Sequence, residues 1–185
     1  MEKRCRIDYI KDAKGNKMLP WQYYNSFGLI TIPMVGKAPR IPGWNKKTKT
    51  IHPGYTGYNI GILTGEVNGI TVLDIDIKDN GLEHWHAITD KYSSIKAPTV
   101  VSPTGIHVYF KYEKNLRTTN RLKVQGHSSK IGWDVRNNNA IIVAPPSTSD
   151  IKKYKWVEGH SLNEIKISKM PKYFQSTQKS ITVWG

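Results

Sequence analysis

The chain has 185 residues, 38% hydrophobic and 10% aromatic, enough to bury a core and to exclude wholesale disorder. Its 28 Lys and Arg stand against 14 Asp and Glu, a net charge of +14 that favours a polyanionic partner, and its single cysteine, Cys5, excludes an intrachain disulfide framework or a multi-cysteine zinc module. No apolar run approaches the roughly 18 residues of a membrane span, and the N-terminus MEKRCRIDYIKD lacks a signal-peptide apolar stretch, so the sequence reads as cytoplasmic with no membrane partner.

Residues 1–20 are polar and basic and read as a lead-in. Phe27 to Pro33 (FGLITIP) has the β-branched content of a strand. Gly36 to Thr50 combines Pro, Gly and positive charge, which predicts an exposed basic loop. Asn59–Thr64 and Gly69–Ile77 (GITVLDIDI) follow as strands, the second the most apolar in the chain. Over residues 80–92, Leu82, Trp85 and Ile88 share one helical face, and Asn80 with Glu83 makes a capping pair. Thr99–Ser102 and Ile106–Tyr112 are strands around a PTG turn, and Asn115–Ser129 is a polar, basic loop or short helix. Ile131–Arg136 and Ala140–Ala144 look like a hairpin joined by three asparagines, which tolerate left-handed geometry. Tyr154–Val157 is a last strand and Leu162–Ile167 a helical turn before a weak tail. Strands outnumber helices, so the class is α+β with a mixed or mostly antiparallel sheet. Trp21, Trp85, Trp133 and Trp156 are assigned to its core.

Charge is unevenly spread. Residues 51–100 carry three basic and six acidic residues, net −3, which leaves +17 for the other 135 residues of the +14 chain. Strand alternation puts Ile70, Val72, Asp74 and Asp76 on one face and Leu73, Ile75 and Ile77 on the other. Asp74 and Asp76 then lie about 7 Å apart on an otherwise apolar strand. Two carboxylates so placed repel unless a cation lies between them, and hard oxygen ligands suit Mg²⁺ or Mn²⁺; the plainer alternative is a solvated edge face. In IGWDVR, Asp134 shares a face with Gly132 and Arg136, so it either completes a two-metal site or pairs with Arg136. In SPTGIHVYF, His107 and Tyr109 share a face, and the small-residue turn of Ser102, Pro103, Thr104 and Gly105 lets backbone N–H groups approach an anion.

The order NIGILTG, ITVLDID, SPTGIHVYF, GWDVRNNNAIIVAPPS, YKW resembles the primase-polymerase (prim-pol) domain of the archaeo-eukaryotic primase superfamily. The resemblance rests on Asp74/Asp76, on Gly105-Ile106-His107, on Asp134 and on Ala144-Pro145-Pro146-Ser147, with Lys37, Pro39 and Trp44 similar to an upstream basic segment. Many members have two glycines before the x-His pair, where this chain has Thr104-Gly105. The resemblance implies one catalytic domain with an RRM-like sheet, a small N-terminal αβ unit and a C-terminal tail from about residue 161. It implies a template-dependent nucleotidyltransferase that makes or extends primers on single-stranded DNA from dNTPs or rNTPs in plasmid, phage or viral replication. Asp74, Asp76 and Asp134 would hold two divalent ions, and no zinc is expected. His107, with Ser102, Thr104, Gly105, Arg136 and Lys37, would bind the nucleotide. Arg40, Lys46, Lys47, Arg117, Arg121 and Lys123 are the candidates for the nucleic-acid track. Relatives are commonly fused to a superfamily 3 helicase; this chain has no P-loop, so such a helicase would lie elsewhere on the protein or on a partner.

Two rivals remain. His84-Trp85-His86 spells the His-hydrophobe-His signature of rolling-circle endonucleases, but on a helix residues two apart point about 200° from each other. A non-catalytic single-strand-binding module would stack bases on exposed aromatics such as Tyr109.

Overall fold

The computed structural model describes residues 8–51, 59–92, 95–120, 131–150, 152–172 and 174. Residues 8–20, read above as a lead-in, contain a two-stranded hairpin, β1 (Ile10–Lys11) and β2 (Lys17–Met18), followed by a short helix α1 (Pro20–Ser26) that the sequence reading did not anticipate. Proline suits the first turn of α1 because its fixed φ is already helical and its missing N–H would have no partner there. The helix buries Tyr23 and Tyr24 and ends at Phe27 and Gly28, whose φ is +74°. The next strand, β3 (Thr31–Val35), therefore starts four residues later than predicted.

The exposed basic loop predicted from Gly36 holds a short strand, β4 (Ala38–Pro39), and a 3₁₀ turn at Trp44–Lys46. Then come β5 (Asn59–Leu63) and β6 (Ile70–Asp76), and after them α2 (Gly81–Tyr92). Asn80 does not cap α2 in the expected way: it sits at φ 56° at the end of a 3₁₀ turn leading into the helix. The remaining strands are β7 (Thr99–Ser102), β8 (Gly105–Lys111), β9 (Trp133–Arg136), β10 (Ile141–Ala144) and β11 (Lys155–Trp156).

Beyond the β1–β2 hairpin, these strands form two sheets with orders β10-β5-β3-β4 and β11-β7-β8-β6-β9, every pairing antiparallel. The expected hairpin of β9 and β10 is not formed. β9 pairs with β6 and β10 with β5, so Asn137–Asn139 is a crossing between sheets. Alternation alone could not decide this, because both strands are apolar enough for either partner.

The alternation on β6 holds. Ile70 and Val72 join a core that also takes Met34, Ile60 and Ile62 from the other sheet, with Tyr24, Tyr109 and Tyr154. Leu73 and Ile75 face a second core with Val108, Phe110, Trp133 and Val135. α2 closes that second core through Trp85, which meets Trp133 edge-on at 5.8 Å and stacks on Phe174 at 5.4 Å. Met170 and Phe174, in the stretch read as a weak tail, are thus core residues.

The sheet crossing is tied down by Asn137, which is fully buried. Its Nδ2 donates to the carbonyls of Glu113 (3.0 Å) and Leu116 (2.8 Å), while its Oδ1 accepts from Thr71 Oγ1 at 3.1 Å. Asn137→Ala leaves these groups buried and unpaired at roughly 1–3 kcal/mol each, about 3 kcal/mol after relaxation. Thermal melts should register a drop in Tm of roughly 6–12 °C; an unchanged Tm would show that the network contributes nothing.

Candidate active site

β6 lies between β8 and β9, and the register sets one row across three strands: Asp74 is directly opposite His107 on one side and Asp134 on the other. Directly opposed residues of an antiparallel pair share a face, so the three side chains project together. The next row toward the end of β6 holds Asp76, opposite Gly105, which in turn is opposite Ser102. Arg136 lies one row the other way, opposite Val72. The structure therefore brings together Asp74, Asp76, Asp134, His107, Arg136, Gly105 and Ser102.

Arg136 lies over the acids. Its Nη2 is 3.2 Å from Asp134 Oδ2 and 3.9 Å from Asp74 Oδ2, so the ion pair weighed as the plainer alternative for Asp134 is present. His107 Nε2 is 3.4 Å from Asp74 Oδ1. Asp76 Oδ1 accepts from the Lys78 backbone N–H at 2.9 Å. Among the described residues, no three His, Cys, Asp or Glu side chains converge closely enough to enclose a metal ion.

Burial dominates the electrostatics. The Asp74 carboxyl is pushed up from 3.8 to about 6, chiefly by desolvation; Arg136 opposes the shift, and Asp134 and Asp76 add to it. His107 is pushed down from 6.5 to about 3 by burial first, then by Arg136 and Lys37. The imidazole is therefore neutral at physiological pH. Only 4% of His107 is exposed, so it shares the acids' face but is covered there, with the Tyr154 ring beside it. Its Nδ1 has no hydrogen bond of good geometry among the described residues, although the Val143 backbone lies close enough to favour the protonated ring.

Lys37 sits in the exposed turn between β3 and β4, within electrostatic reach of both Asp74 and His107. Thr104 is exposed at the β7–β8 turn, and its carbonyl accepts from the Ile77 N–H at 2.8 Å. Of the nucleic-acid candidates, Arg40, Lys46 and Arg117 are exposed and Lys47 is half-buried, while Arg121 and Lys123 lie outside the described residues.

The sequence reading missed two parts of this site. One is Tyr154, whose ring centroid lies 5.8 Å from that of His107 and whose hydroxyl is pushed up by burial and then by the Asp74 charge. The other is the close packing at three glycines around the end of β6, of which Gly105 was already named and Gly81 and Gly132 were not assigned to the site. A Cβ on Gly105 would collide with the Ile75 carbonyl oxygen, on Gly132 with that of Lys78, and on Gly81 with that of Asp76. Close backbone approach leaves no periodic signal, and only Gly105 stood inside a recognisable motif.

The acid and the imidazole pull stability in opposite directions with pH. Between about 4 and 6 the folded protein holds the Asp74 proton while the unfolded chain has lost it, so this group makes stability fall as pH rises. Between about 3 and 6.5 the unfolded chain protonates its histidine while the folded protein does not, so His107 makes stability rise with pH. In metal-free protein, His107→Gln should therefore lose on the order of 2–3 kcal/mol from pH 4 to 6, and Asp74→Asn should gain a similar amount. Denaturant midpoints at pH 4, 5 and 6 read both slopes; equal slopes in the two variants would contradict the assignment.

Carboxylates on a central strand, overlain by an arginine in a protein of net charge +14, define a class: a basic α+β domain with an acidic row at its centre. Residues 21–173 match the model of the family described as "Bifunctional DNA primase/polymerase, N-terminal", and the chain belongs to that Prim-Pol family. No curated protein matches the chain. The family is one of DNA primases and polymerases acting in DNA replication, a nucleotidyltransferase type of activity. Among the described residues, no helix is long and apolar enough to cross a membrane.

Proposed function

We propose that this domain is a template-dependent nucleotidyltransferase that starts or extends primers on single-stranded DNA, with Asp74, Asp76 and Asp134 as the ligands of two divalent cations, Mg²⁺ or Mn²⁺. The observation that carries the reading is the cross-strand row of Asp134, Asp74 and His107 with Asp76 one row on. The donor set fits hard cations: three carboxylates share one face, and the charges of Asp134 and Asp76 help hold Asp74 protonated to a higher pH. Such ions, when bound, activate the primer 3′-hydroxyl and stabilise the leaving pyrophosphate.

The chain's own groups have separable tasks. Burial disfavours the ionised form of Asp74, so a bound cation relieves that cost directly. His107, neutral and buried, orients Asp74 through Nε2. Arg136 neutralises Asp74 and Asp134 in the protein alone; with the cations in place it and Lys37 are free to meet the triphosphate. Gly105 lets β8 approach β6 closely, which aims the Ser102–Gly105 turn at the same phosphates. Arg40, Lys46, Lys47 and Arg117 would carry the strand, with Arg121 and Lys123. A plasmid, phage or viral replicon and a superfamily 3 helicase, on this protein or a partner, complete the proposal.

The binding-module alternative loses its main support, because Tyr109 is fully buried and offers no face to a base. The endonuclease alternative places His84 and His86 on α2, on either side of the buried Trp85, so the two rings do not project together. Primer extension on primed and unprimed single-stranded templates, with dNTPs or rNTPs and with or without Mg²⁺ or Mn²⁺, tests the reading. Metal-dependent products support it, and products without primer make the domain a primase. Silence under every condition, with tight DNA binding, would overturn catalysis by this chain.

A further inference from the structure

At the opposite end of β6 from the acids lies a cavity of about 270 Å³ that the catalytic reading does not use. Four residue steps along the strand separate Asp74 from Ile70, roughly 13 Å, and Ile70 bridges Gly65, next to the cavity-lining Thr64. The volume lies just below the roughly 300–1,000 Å³ of sites that enclose drug-sized ligands, so it has room for a group about the size of a nucleobase. Leu63 and Ala140, both buried, line it, and Val67, an exposed hydrophobic at 41%, gives it an apolar wall open to solvent.

The polar part of the lining comes from separate chain segments. Asn45 stands in the 3₁₀ turn at Trp44–Lys46, and Asn139 stands in the crossing between the sheets. Neither side-chain amide makes a hydrogen bond among the described residues. Both residues are exposed, so their amides are open to an incoming ligand as well as to water, and the left-handed backbone of Asn139, φ 57°, suits asparagine at that position. The neighbouring Asn138 is already committed: its Oδ1 accepts from the Glu66 N–H and its Nδ2 donates to Tyr112 Oη. Thr64 Oγ1 donates to the Asn137 carbonyl and keeps a lone pair for an incoming donor.

Two uncommitted amides, each a donor and an acceptor, beside an apolar wall match the chemistry of a nucleobase: polar edge, apolar faces. Lys46 and Lys47 follow Asn45 directly and have no ion-pair partner among the described residues, which places cations for the flanking phosphates. Exposed Glu66 is the one acid beside the cavity-lining residues Thr64 and Val67.

We propose that the Asn45–Asn139 cavity is a nucleobase-binding site, filled by a base of a single strand that crosses the domain away from the acids. The inference rests on the nucleic-acid reading only for the identity of the strand. A free nucleotide would present the same base edge, and the test separates the two sources.

The test uses Asn45→Ala/Asn139→Gly, because glycine keeps the left-handed conformation while removing the amide. Dissociation constants at fixed salt are measured for a labelled single-stranded oligonucleotide and for an abasic chain of the same length. The wild type should favour the base-bearing strand, and the double variant should lose about 5- to 100-fold of that preference. Abasic binding and extension at saturating primed template should stay unchanged. If a nucleoside monophosphate binds the wild type and not the variant while the wild type shows no preference for the base-bearing strand over the abasic one, the cavity takes a free nucleotide and the strand proposal falls. An identical preference in wild type and variant overturns the cavity as a base site and leaves the polymerase reading standing. Absence of any single-strand binding by the wild type overturns both.

Discussion

Asp74→Asn should abolish metal-dependent nucleotide incorporation, with a loss of at least about 1,000-fold, because several kcal/mol of transition-state stabilisation depend on the cations it would hold. The same substitution should not destabilise the protein at pH 7.5. Asp74 is held at about 6 by burial, so its ionised form is a cost to the fold above that pH, and the isosteric amide removes the cost. Single-strand affinity should be equal or higher, since a negative charge leaves a phosphate-facing surface. Quenched-flow incorporation, a denaturant titration and an anisotropy titration read the three quantities. A variant that keeps more than a tenth of wild-type incorporation would remove Asp74 from the chemistry; one that loses activity together with its fold would reduce it to a structural residue.

The second large effect belongs to Gly105→Ala. The added methyl would lie well under 3.0 Å from the Ile75 carbonyl oxygen, a backbone atom that cannot swing aside. β8 and β6 must then part at the row that carries Asp76. Overpacking of this kind costs typically 1–3 kcal/mol, and here it also moves the Ser102–Gly105 turn relative to the acids. Extension should fall by one to two orders of magnitude while circular dichroism still shows a folded sheet. Thr104→Gly, which places a second glycine before the Ile106-His107 pair, should leave the fold and at least half the activity, because Thr104 is exposed and only its backbone carbonyl is engaged. A Gly105→Ala enzyme of wild-type rate would show that the turn has room to spare.

How much of this was legible in the sequence differs by kind of information. The faces of β6, β8 and β9 follow from strict alternation, and the structure places Asp74, His107 and Asp134 on one face as that alternation requires. The helix at 81–92 was legible because Leu82, Trp85 and Ile88 recur at helical spacing. The partner of each strand was not. β9 and β10 are neighbours in sequence with a turn-like NNN between them, and only the long-range competition for β6 and β5 separates them into different sheets. Asn137 looked like turn chemistry and proved to be a buried hub, because burial of a polar side chain is set by carbonyls from distant segments. Tyr109 was read as exposed and is buried, since strand alternation gives a residue's face but not what covers that face.

The position of β6 has a consequence for motion. It is hydrogen-bonded on both sides, by β8 and by β9, and packed between two cores, so its amides should be among the slowest to exchange. Asp74 and Asp76 thus ride on the slowest-opening part of the chain. Any adjustment that admits a substrate falls to the periphery: the exposed β3–β4 turn bearing Lys37, the side chain of Arg136 and the β7–β8 turn. In the proposed mechanism the acids would stay fixed, and the lysine and arginine would be the parts that travel.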